Sequence, residues 1–427
     1  MHTVVLGAGI IGVSTAWHLL QLGHQVTLVD RQDAAAMETS FANAAQISVS
    51  FCEPWANREA PLKALKWMFS ATSPLLFRPQ FDPDQWRWVL AFLGQCHDRA
   101  FERNVAQLVA LGAYSHQALK EMVDQTGIEY HRVQRGIAHY YTDAHAFAGA
   151  DDAAALMRRH GVLRRVIGRD ELLRIEPALQ AFAARIVGGT YTESDESGDA
   201  SVFTQALAER CSQAGARMLF GHDIEQLERD EHGIRQVRVR SRRSGEAQTL
   251  QADAYVVACG SYSTALLRSV GVCVPIYPGK GYSATLALRD PERAPMVSMI
   301  DDQCKIAISR LGQQLRVAGT IELGGFDLRL DTPLARRRCE MLLTRIEEVF
   351  PGAADTRTAE QGGDPHFWCG LRPATPTNIP LIGRTGVGKL WVNAGHGTLG
   401  WTHGAGSGKA LASLIDGQTP DIAFAFA

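Results

Sequence analysis

The first thirty residues hold the pattern that most restricts the fold of this chain. An apolar run, TVVLGAG, ends in glycines, and the next stretch, IIGVSTAWHLLQLG, repeats apolar residues at helical spacing up to a closing glycine. The following residues, HQVTLVD, are typical of a second buried strand. A strand, a helix and a strand in this order predict a βαβ unit, and therefore a parallel sheet with helices on its faces.

The turn after the first strand has the spacing of a dinucleotide-binding fingerprint. Glycines at 7, 9 and 12 would permit a tight turn, a close backbone approach to a pyrophosphate and close helix–strand packing. The phosphate charge would lie at a helix N-terminus, where unpaired N–H groups favour it. An acid at the end of the second strand could accept hydrogen bonds from ribose hydroxyls. The predicted cofactor residues here are Gly7, Ala8, Gly9, Ile10, Ile11, Gly12, Asp30 and Arg31. A glycine-rich turn of an unrelated α/β domain is the alternative.

Two further features favour FAD over a nicotinamide nucleotide. The chain has no second fingerprint of this kind, which a flavoprotein that uses a pyridine nucleotide would usually carry. Residues 253–263, DAYVVACGSYS, form a buried strand pattern ending at Gly260, which suits a strand beside the adenine half of the cofactor. An ordinary core strand would have much the same sequence.

The glycine-dense stretch 393–411, NAGHGTLGWTHGAGSGKAL, resembles a phosphate-binding P-loop only at first sight. A P-loop needs a glycine, four residues and then Gly-Lys-Ser/Thr. Here Ala410 follows Gly408-Lys409, and His403 stands where the first glycine belongs. The stretch is instead predicted to form a strand, a turn that exposes backbone, and a helix that begins between residues 401 and 404.

Composition limits the classes of partner and compartment. The formal net charge of -2 gives no reason to expect nucleic acid as a partner. The eight cysteines are scattered without a C-x-x-C pair or zinc spacing, so we predict reduced thiols, no metal site and a cytoplasmic protein. No signal peptide precedes the first strand, and no run of 18 apolar residues predicts a membrane span.

Several longer motifs resemble one enzyme family in consistent order along residues 1 to about 417. They are ETSFANAAQIS (38–48), PLKALKWMF (61–69), PGKGYSATL (278–286), WCGLRPATPTNIPLIGRT (368–385) and LWVNAGHGTLGWTHGAGSGKALASLIDG (390–417). These motifs resemble the FAD-dependent D-amino acid dehydrogenases, within the wider glycine oxidase and D-amino acid oxidase superfamily.

The resemblance implies an α/β fold in which a Rossmann-like FAD-binding domain is interleaved with a substrate domain built on an antiparallel sheet flanked by helices. The expected FAD domain comprises 1–60, 190–262 and 365–427, and the expected substrate domain comprises 61–189 and 263–364. The implied reaction is oxidative deamination of a D-amino acid, D-alanine among them, to a 2-oxo acid and ammonia. Electrons would then pass to a quinone or another membrane-linked acceptor.

Three residues are candidates for the substrate side of the site. By resemblance, Arg372 holds the substrate carboxylate, for which a guanidinium fork is well matched; a structural salt bridge is its alternative. Tyr282 could bond that carboxylate or close the pocket, or simply pack with its hydroxyl satisfied. Two positions are open for Lys280, one near the flavin and one in an exposed loop, and the exposed loop is favoured. No obligate general base is predicted, because a deprotonated amine can itself assist departure of hydride from Cα.

Two loops are expected at the flavin by resemblance. In the first, small side chains allow backbone N–H groups to reach cofactor oxygens; its predicted members are Ser40, Ala42, Asn43, Ala44, Gln46 and Ile47. The family commonly has glycine where Ala45 stands, and a β-carbon disfavours positive φ. In the second, a turn and a helix N-terminus would stabilise negative charge on the reduced ring; its predicted members are Gly395, His396, Gly397, Thr398, Leu399 and Gly400.

Residues 61–81 place Leu62, Leu65, Met68 and Phe69 on one helical face beside lysines and a tryptophan. This pattern suits peripheral contact with a membrane surface, here the cytoplasmic face of the inner membrane. An ordinary core or subunit contact would give the same stripe.

Two other functions stay open at this point. An oxidase or dehydrogenase of a cyclic secondary amine, such as D-proline or D-hydroxyproline, would share FAD, Arg372 and hydride transfer. A flavin-bearing subunit without turnover is the second alternative, and the intact C-terminal block argues against it.

Overall fold

The computed structural model describes residues 1–62 and 73–427, and its secondary structure forms two large sheets with helices against them. The strands are β1 (His2–Leu6), β2 (Gln25–Val29), β3 (Gln46–Ile47), β4 (Leu75–Phe77), β5 (Ile137–Tyr141), β6 (Arg165–Gly168), β7 (Gly188–Thr192), β8 (Glu196–Ser197), β9 (Arg217–Leu219), β10 (His222–Asp230), β11 (Gly233–Ser241), β12 (Ala247–Leu250), β13 (Ala254–Val257), β14 (Tyr277–Ala287), β15 (Ser298–Asp301), β16 (Ile306–Leu311), β17 (Gln314–Leu323), β18 (His366–Ala374), β19 (Leu381–Arg384) and β20 (Leu390–Ala394). The α-helices are α1 (Ile10–Gln21), α2 (Pro83–Leu93), α3 (Asp98–Thr126), α4 (Ala144–Ala148), α5 (Ala150–Arg159), α6 (Arg169–Ile175), α7 (Ala200–Gln213), α8 (Ser263–Arg268), α9 (Pro333–Val349) and α10 (Gly400–Ile415).

The first sheet has the order β19-β20-β13-β1-β2-β9. All its neighbouring strands pair in parallel except β19, which runs antiparallel to β20 at one edge. The predicted βαβ unit is β1, α1 and β2, and the apolar run of residues 254–257 pairs with β1 as β13. The prediction of a Rossmann-like α/β fold is therefore confirmed.

The turn between β1 and α1 depends on two of its glycines. Gly7 adopts a φ of +108°, and a β-carbon there would lie 2.5 Å from the carbonyl oxygen of Ala258 in the neighbouring strand connection. A β-carbon on Gly12 would lie 1.8 Å from the carbonyl oxygen of Gly7 itself. The helix can therefore follow the strand this closely only because both positions lack side chains.

The second sheet has the order β18-β14-β17-β16-β15-β5-β7-β6, with β4 paired to β17. Most pairs are antiparallel, as predicted; β15 with β5 and β17 with β4 are parallel. Apolar side chains of α9, such as Leu342 and Ile346, share a buried cluster with Val317 and Met299 of the sheet. The opposite face of this sheet borders the cavity that is described below.

The predicted domain boundaries do not follow the sheets everywhere. The predicted FAD segment that begins at residue 365 includes β18, yet β18 pairs with β14 in the second sheet. The boundary at residue 190 cuts β7. A local sequence pattern marks a strand but not the sheet that it joins, so the division into two domains stays a prediction.

Helix α10 lies between α1 and α3, and its glycines make that position possible. A β-carbon on Gly408 would lie 2.7 Å from the backbone nitrogen of Thr15 in α1, and one on Gly406 would lie 2.5 Å from the Cα of Ser115 in α3. Glycine on both faces lets backbones pack directly together. These two glycines serve helix packing, whereas the approach of a ligand is predicted for the turn before the helix.

Residues 63–72 of the predicted amphipathic segment 61–81, and with them Leu65, Met68 and Phe69 of its apolar face, lie outside the described residues. Within the described part, Leu62 is 74% exposed and lies at the solvent boundary. No helix of residues 1–62 and 73–427 is both long enough and apolar enough to cross a membrane.

Ala45 has a φ of +58°, in the left-handed region that a β-carbon disfavours. Its N–H donates to the side-chain oxygen of Asn43 at 2.9 Å, and its carbonyl accepts from the N–H of Gly198 at 2.8 Å. These two bonds hold the backbone in a conformation that costs an alanine roughly 1–2 kcal/mol.

Replacing Ala45 with glycine should therefore stabilise the protein. We expect Ala45→Gly to raise the free energy of unfolding by roughly 1 kcal/mol, because relief of strain outweighs the added chain entropy. Ala44, whose φ is not positive, is the matched control, and Ala44→Gly should lower the free energy by about 0.5–1 kcal/mol. Urea titration of both variants checks this, and equal effects of the two would contradict it.

Candidate active site

A cavity of about 1730 Å³ lies between the two large sheets and reaches from the β1–α1 turn to β14, β17 and β18. Its volume exceeds the roughly 300–1,000 Å³ of a typical small-molecule pocket. It brings together most of the residues predicted from the sequence. Those that line it are Gly7, Gly9, Ile10, Ile11, Asp30, Arg31, Ser40, Ala42, Asn43, Ala44, Gln46, Gly260, Tyr282, Arg372, His396, Gly397, Thr398, Leu399 and Gly400.

Four predicted cofactor residues do not line the cavity. Ala8 and Ile47 are buried in the core. Gly12 is required for packing against Gly7, and Gly395, with a φ of +90°, has the Thr375 methyl group 2.7 Å from where a β-carbon would lie. Their sequence motifs place them next to residues that do line the cavity, which is why the pattern could not separate the two groups.

Asp30 stands at the end of β2 beside the β1–α1 turn. Its carboxylate accepts the N–H of Ala8 at 2.6 Å and the N–H of Gln32 at 2.8 Å. Burial raises its pKa, although these two hydrogen bonds oppose that shift. Next to it, the guanidinium of Arg31 lies 3.9 Å from the ring centre of Tyr262 and donates to Glu38. At this end of the cavity a ligand can contact the carboxylate of Asp30 and the Tyr262 ring, over which the Arg31 guanidinium lies.

The loop before β3 is held from both sides. Ser40 Oγ accepts the N–H of Ile10 at 3.1 Å and so occupies one of the free donors at the start of α1. From the second sheet, Arg316 donates to the carbonyl of Asn43 at 3.2 Å, and Ser309 donates to the carbonyl of Ala44 at 2.8 Å. Gln46 in turn donates to Ser298 of β15 at 2.9 Å. The loop therefore bridges the two sheets.

The turn before α10 presents backbone and one imidazole to the cavity. Among the described residues, no side-chain hydrogen bond caps the N-terminus of α10, which leaves its first N–H groups available to a ligand. His396 is 2% exposed, and its Nε2 has no hydrogen-bond partner among the described residues. Burial and nearby His403 hold the pKa of His396 well below its usual value, so the ring is neutral.

Arg372 lies on β18, directly opposite Gly279 of β14. Its guanidinium occupies the space above Gly281, where a β-carbon would lie 1.8 Å from Nη1. Nη1 donates to the carbonyl of Thr320 in β17 at 2.9 Å. No local pattern marks Gly281, because its need for glycine arises only when β14 and β18 pair.

The electrostatic surroundings of Arg372 differ from those of a salt bridge. Burial beneath the protein surface and the charge of Arg338 lower its pKa to about 10, so the side chain is still protonated near neutral pH. The described ion pairs do not include Arg372, whose only hydrogen bond there is to the Thr320 carbonyl. The alternative of a structural salt bridge therefore has no support from these contacts. A half-buried cation on the cavity wall, without a counter-charge among the described residues, is poised to bind an anion.

Tyr282 and Lys280 both use their polar groups in contacts within the protein. Tyr282 lines the cavity, but its hydroxyl donates to Glu322 at 2.6 Å and its ring is 2% exposed, which is the packing alternative. The expectation of an exposed Lys280 is wrong. It lies in β14, is 4% exposed and donates to the carbonyl of Arg329 at 2.8 Å, because the glycine-flanked segment is a central strand rather than a loop.

One wall of the cavity was missed from the sequence. It contains Phe51, Glu53, Trp55, Tyr141 and Arg164. Arg164 is itself buried and donates to Glu53 at 2.9 Å. The two residues are 111 positions apart in the sequence, so no local motif predicts that they pair. In the described ranges, no group of three or more His, Cys, Asp and Glu side chains is arranged to hold a metal ion.

Comparison with known proteins agrees with this geometry. A family model described as DAO, FAD dependent oxidoreductase, matches residues 2–414. The D-amino acid dehydrogenase of Dechloromonas aromatica (strain RCB) is 47% identical over 426 residues, covering 100% of this chain and 99% of the relative.

Two solved structures share the architecture. The L-proline dehydrogenase from P. horikoshii has a TM-score of 0.73 at 17% identity and covers 98% of this chain and 94% of its own. The glycine oxidase from Geobacillus kaustophilus has a TM-score of 0.73 at 21% identity and covers 98% and 95%. At these identities the likeness concerns the fold alone.

The glycine beneath the guanidinium supplies a test of the site. We expect Gly281→Ala to displace the Arg372 side chain and to weaken binding of carboxylate ligands about 100-fold, since a displacement of this size disrupts a bidentate contact. Gly279→Ala is the matched control on the same strand face, because its β-carbon would be 3.3 Å from a flexible Ile321 methyl and 3.9 Å from the Arg372 β-carbon. Calorimetric titration compares the two. Similar affinities in both variants would contradict the placement of Arg372.

Proposed function

Because this chain belongs to the DAO family of FAD-dependent oxidoreductases, we propose that it is a dehydrogenase that oxidises D-amino acids to 2-oxo acids and ammonia. The observation that carries the proposal is the protonated, unpaired guanidinium of Arg372 on the wall of the large cavity. The relative of 47% identity that bears the name D-amino acid dehydrogenase supports the substrate class.

The residues present fit FAD. The fingerprint turn leaves space next to Gly9, where a β-carbon would meet only Ser40 Oγ at 3.3 Å, so a pyrophosphate can approach the start of α1. At the other end, the uncapped N-terminus of α10 and the unpartnered Nε2 of His396 are donors and acceptors that a ring system would satisfy. When bound, the flavin accepts the electrons that leave the substrate.

Arg372 would fix the carboxylate of the amino acid through its two-pronged fork, which sets the direction of the Cα–H bond. Its position is in turn set by the Gly281 gap and the Thr320 carbonyl. The substrate amine must lose a proton before its lone pair can assist departure of hydride. No side chain is assigned this proton, which water can accept. The product imine is then hydrolysed by water.

The alternative of a cyclic secondary amine would use the same carboxylate contact. The fold that the chain shares with an L-proline dehydrogenase is compatible with this substrate class, at an identity of 17%. The relatives of 40–47% identity named D-amino acid dehydrogenase favour primary D-amino acids. A non-catalytic flavin subunit would not need an unpaired guanidinium in the cavity.

Reduction of the flavin under anaerobic conditions tests the proposed function. We expect D-amino acids to bleach the flavin absorbance of the purified holoenzyme, and the L-enantiomers at equal concentration to leave it unchanged. D-Proline in the same panel tests the alternative. In Arg372→Met we expect bound FAD to persist and half-saturation by the D-amino acid to rise at least about 100-fold. If no D-amino acid or cyclic amine reduces the flavin, the catalytic proposal is wrong.

For the electron acceptor we propose a quinone or another membrane-linked carrier. We propose a peripheral membrane contact that would bring the protein to this acceptor. The resemblance of the chain and the name dehydrogenase among its relatives support this choice over oxygen.

Steady-state turnover with two acceptors checks the choice. We expect a soluble quinone analogue to sustain turnover of a D-amino acid that bleaches the flavin, while oxygen uptake stays much slower. Oxygen uptake as fast as quinone reduction would identify an oxidase instead. The L-enantiomer in the same assay is the control for acceptor reduction that does not depend on substrate.

A further inference from the structure

Thr320 is the most strained residue beside the carboxylate-binding guanidinium. In β17, Thr320 and Ile321 together face the single residue Gly281 of β14, which makes a β-bulge between the pairs Lys280–Glu322 and Tyr282–Gly319. The φ of Thr320 is +56°. A β-branched residue in this conformation is a genuine outlier, and such strain concentrates at functional sites.

The bulge has an evident effect on Arg372. It turns the carbonyl of Thr320 out of the sheet ladder, where it accepts Nη1 of Arg372 at 2.9 Å. A glycine would supply this carbonyl at no conformational cost. The presence of threonine therefore needs a reason that lies in its side chain.

That side chain is buried and unsatisfied. Thr320 is 3% exposed and lines the cavity, and its Oγ1 has no hydrogen-bond partner among the described residues. A buried hydroxyl without a partner destabilises a protein, and replacement by an apolar group of the same shape removes that cost. Threonine at this position therefore lowers stability in two ways, through its strained φ and through its unsatisfied hydroxyl.

We propose that Thr320 is a substrate-binding residue whose hydroxyl donates a hydrogen bond to the carboxylate held by Arg372. This inference rests on the proposed function. The carbonyl of Thr320 contacts the guanidinium, and both residues line the same cavity. The hydroxyl of Thr320 therefore belongs to a residue that adjoins the anion site proposed at Arg372. Rotation about Cα–Cβ offers the hydroxyl three staggered positions from which to meet a ligand.

The charge of Arg372 determines which substrate group is involved. The guanidinium attracts the carboxylate and repels an ammonium group, so the carboxylate oxygens are the acceptors nearest to Thr320. The hydroxyl has one proton to give and no other acceptor in the described surroundings. The strained bulge would then serve two purposes: its carbonyl orients the guanidinium, and its side chain completes the anion site.

The test is to compare Thr320→Val with Thr320→Ser. Valine keeps the shape and the β-branch but lacks the hydroxyl, whereas serine keeps the hydroxyl. Propanoate, a carboxylate without an oxidisable amine, serves as the probe, and its binding to the FAD-loaded protein is followed by the flavin difference spectrum. We expect the dissociation constant of propanoate to rise roughly tenfold in Thr320→Val and to stay near the wild-type value in Thr320→Ser.

Thermal stability distinguishes a binding role of the Thr320 hydroxyl from a purely structural role. Thr320→Val removes an unsatisfied hydroxyl, so its thermal midpoint without ligand should equal or exceed that of the wild type while its ligand affinity falls. Thr344→Val, on the exposed face of α9, is the matched control and should leave propanoate binding unchanged. If the valine variant does not fold, Thr320→Ala tests the same loss of the hydroxyl.

The proposal is overturned if Thr320→Val binds propanoate as tightly as the wild type, or if serine and valine weaken binding equally. Failure of the proposed function is distinguishable, because it is seen in the wild-type protein alone: D-amino acids would not bleach its flavin, whatever the variants do with propanoate.

Discussion

The position of Arg372 depends on hydrogen bonds that join its strand to the other half of the molecule. The carbonyl of Leu371, the residue before it, accepts the hydroxyls of Thr39 at 2.9 Å and Ser261 at 3.1 Å. The carbonyl of Pro373, the residue after it, accepts the N–H of Gly397 at 2.9 Å. Three segments attached to the first sheet thus hold the one strand of the second sheet that carries the guanidinium. The proposed cofactor and substrate sites are consequently held relative to each other by β18.

A half-buried cation that has no carboxylate partner among the described residues needs other interactions to stabilise it. The guanidinium of Arg372 has a carbonyl and the open face of a glycine. The carboxylate of Glu322, in the same strand as Thr320, is engaged by Tyr282 and Arg78. A carboxylate next to Arg372 would bind it permanently and leave nothing for a ligand. The site therefore keeps its charge available by assigning the neighbouring acid to other partners.

Local patterns predicted the parts of the molecule whose causes are local. The β1–α1–β2 unit and α10 followed from spacing and propensity. The bulge at Thr320, the gap at Gly281 and the burial of Lys280 arise from pairing between β14, β17 and β18, whose partners are distant in sequence. No period or composition in a single segment encodes such pairing, so these features could only be found in the structure.

The packing of α10 has a consequence for the energy of charge formation. Backbone contacts at Gly406 and Gly408 hold the helix against α3 and α1, so it can neither slide nor roll without a backbone clash. Its N-terminal dipoles therefore point at the cavity in a fixed direction before any charge develops there. Solvent dipoles would have to reorient around a new anion, which costs reorganisation free energy. Dipoles that their neighbours hold rigidly were oriented during folding, so they need no such reorganisation when the charge forms.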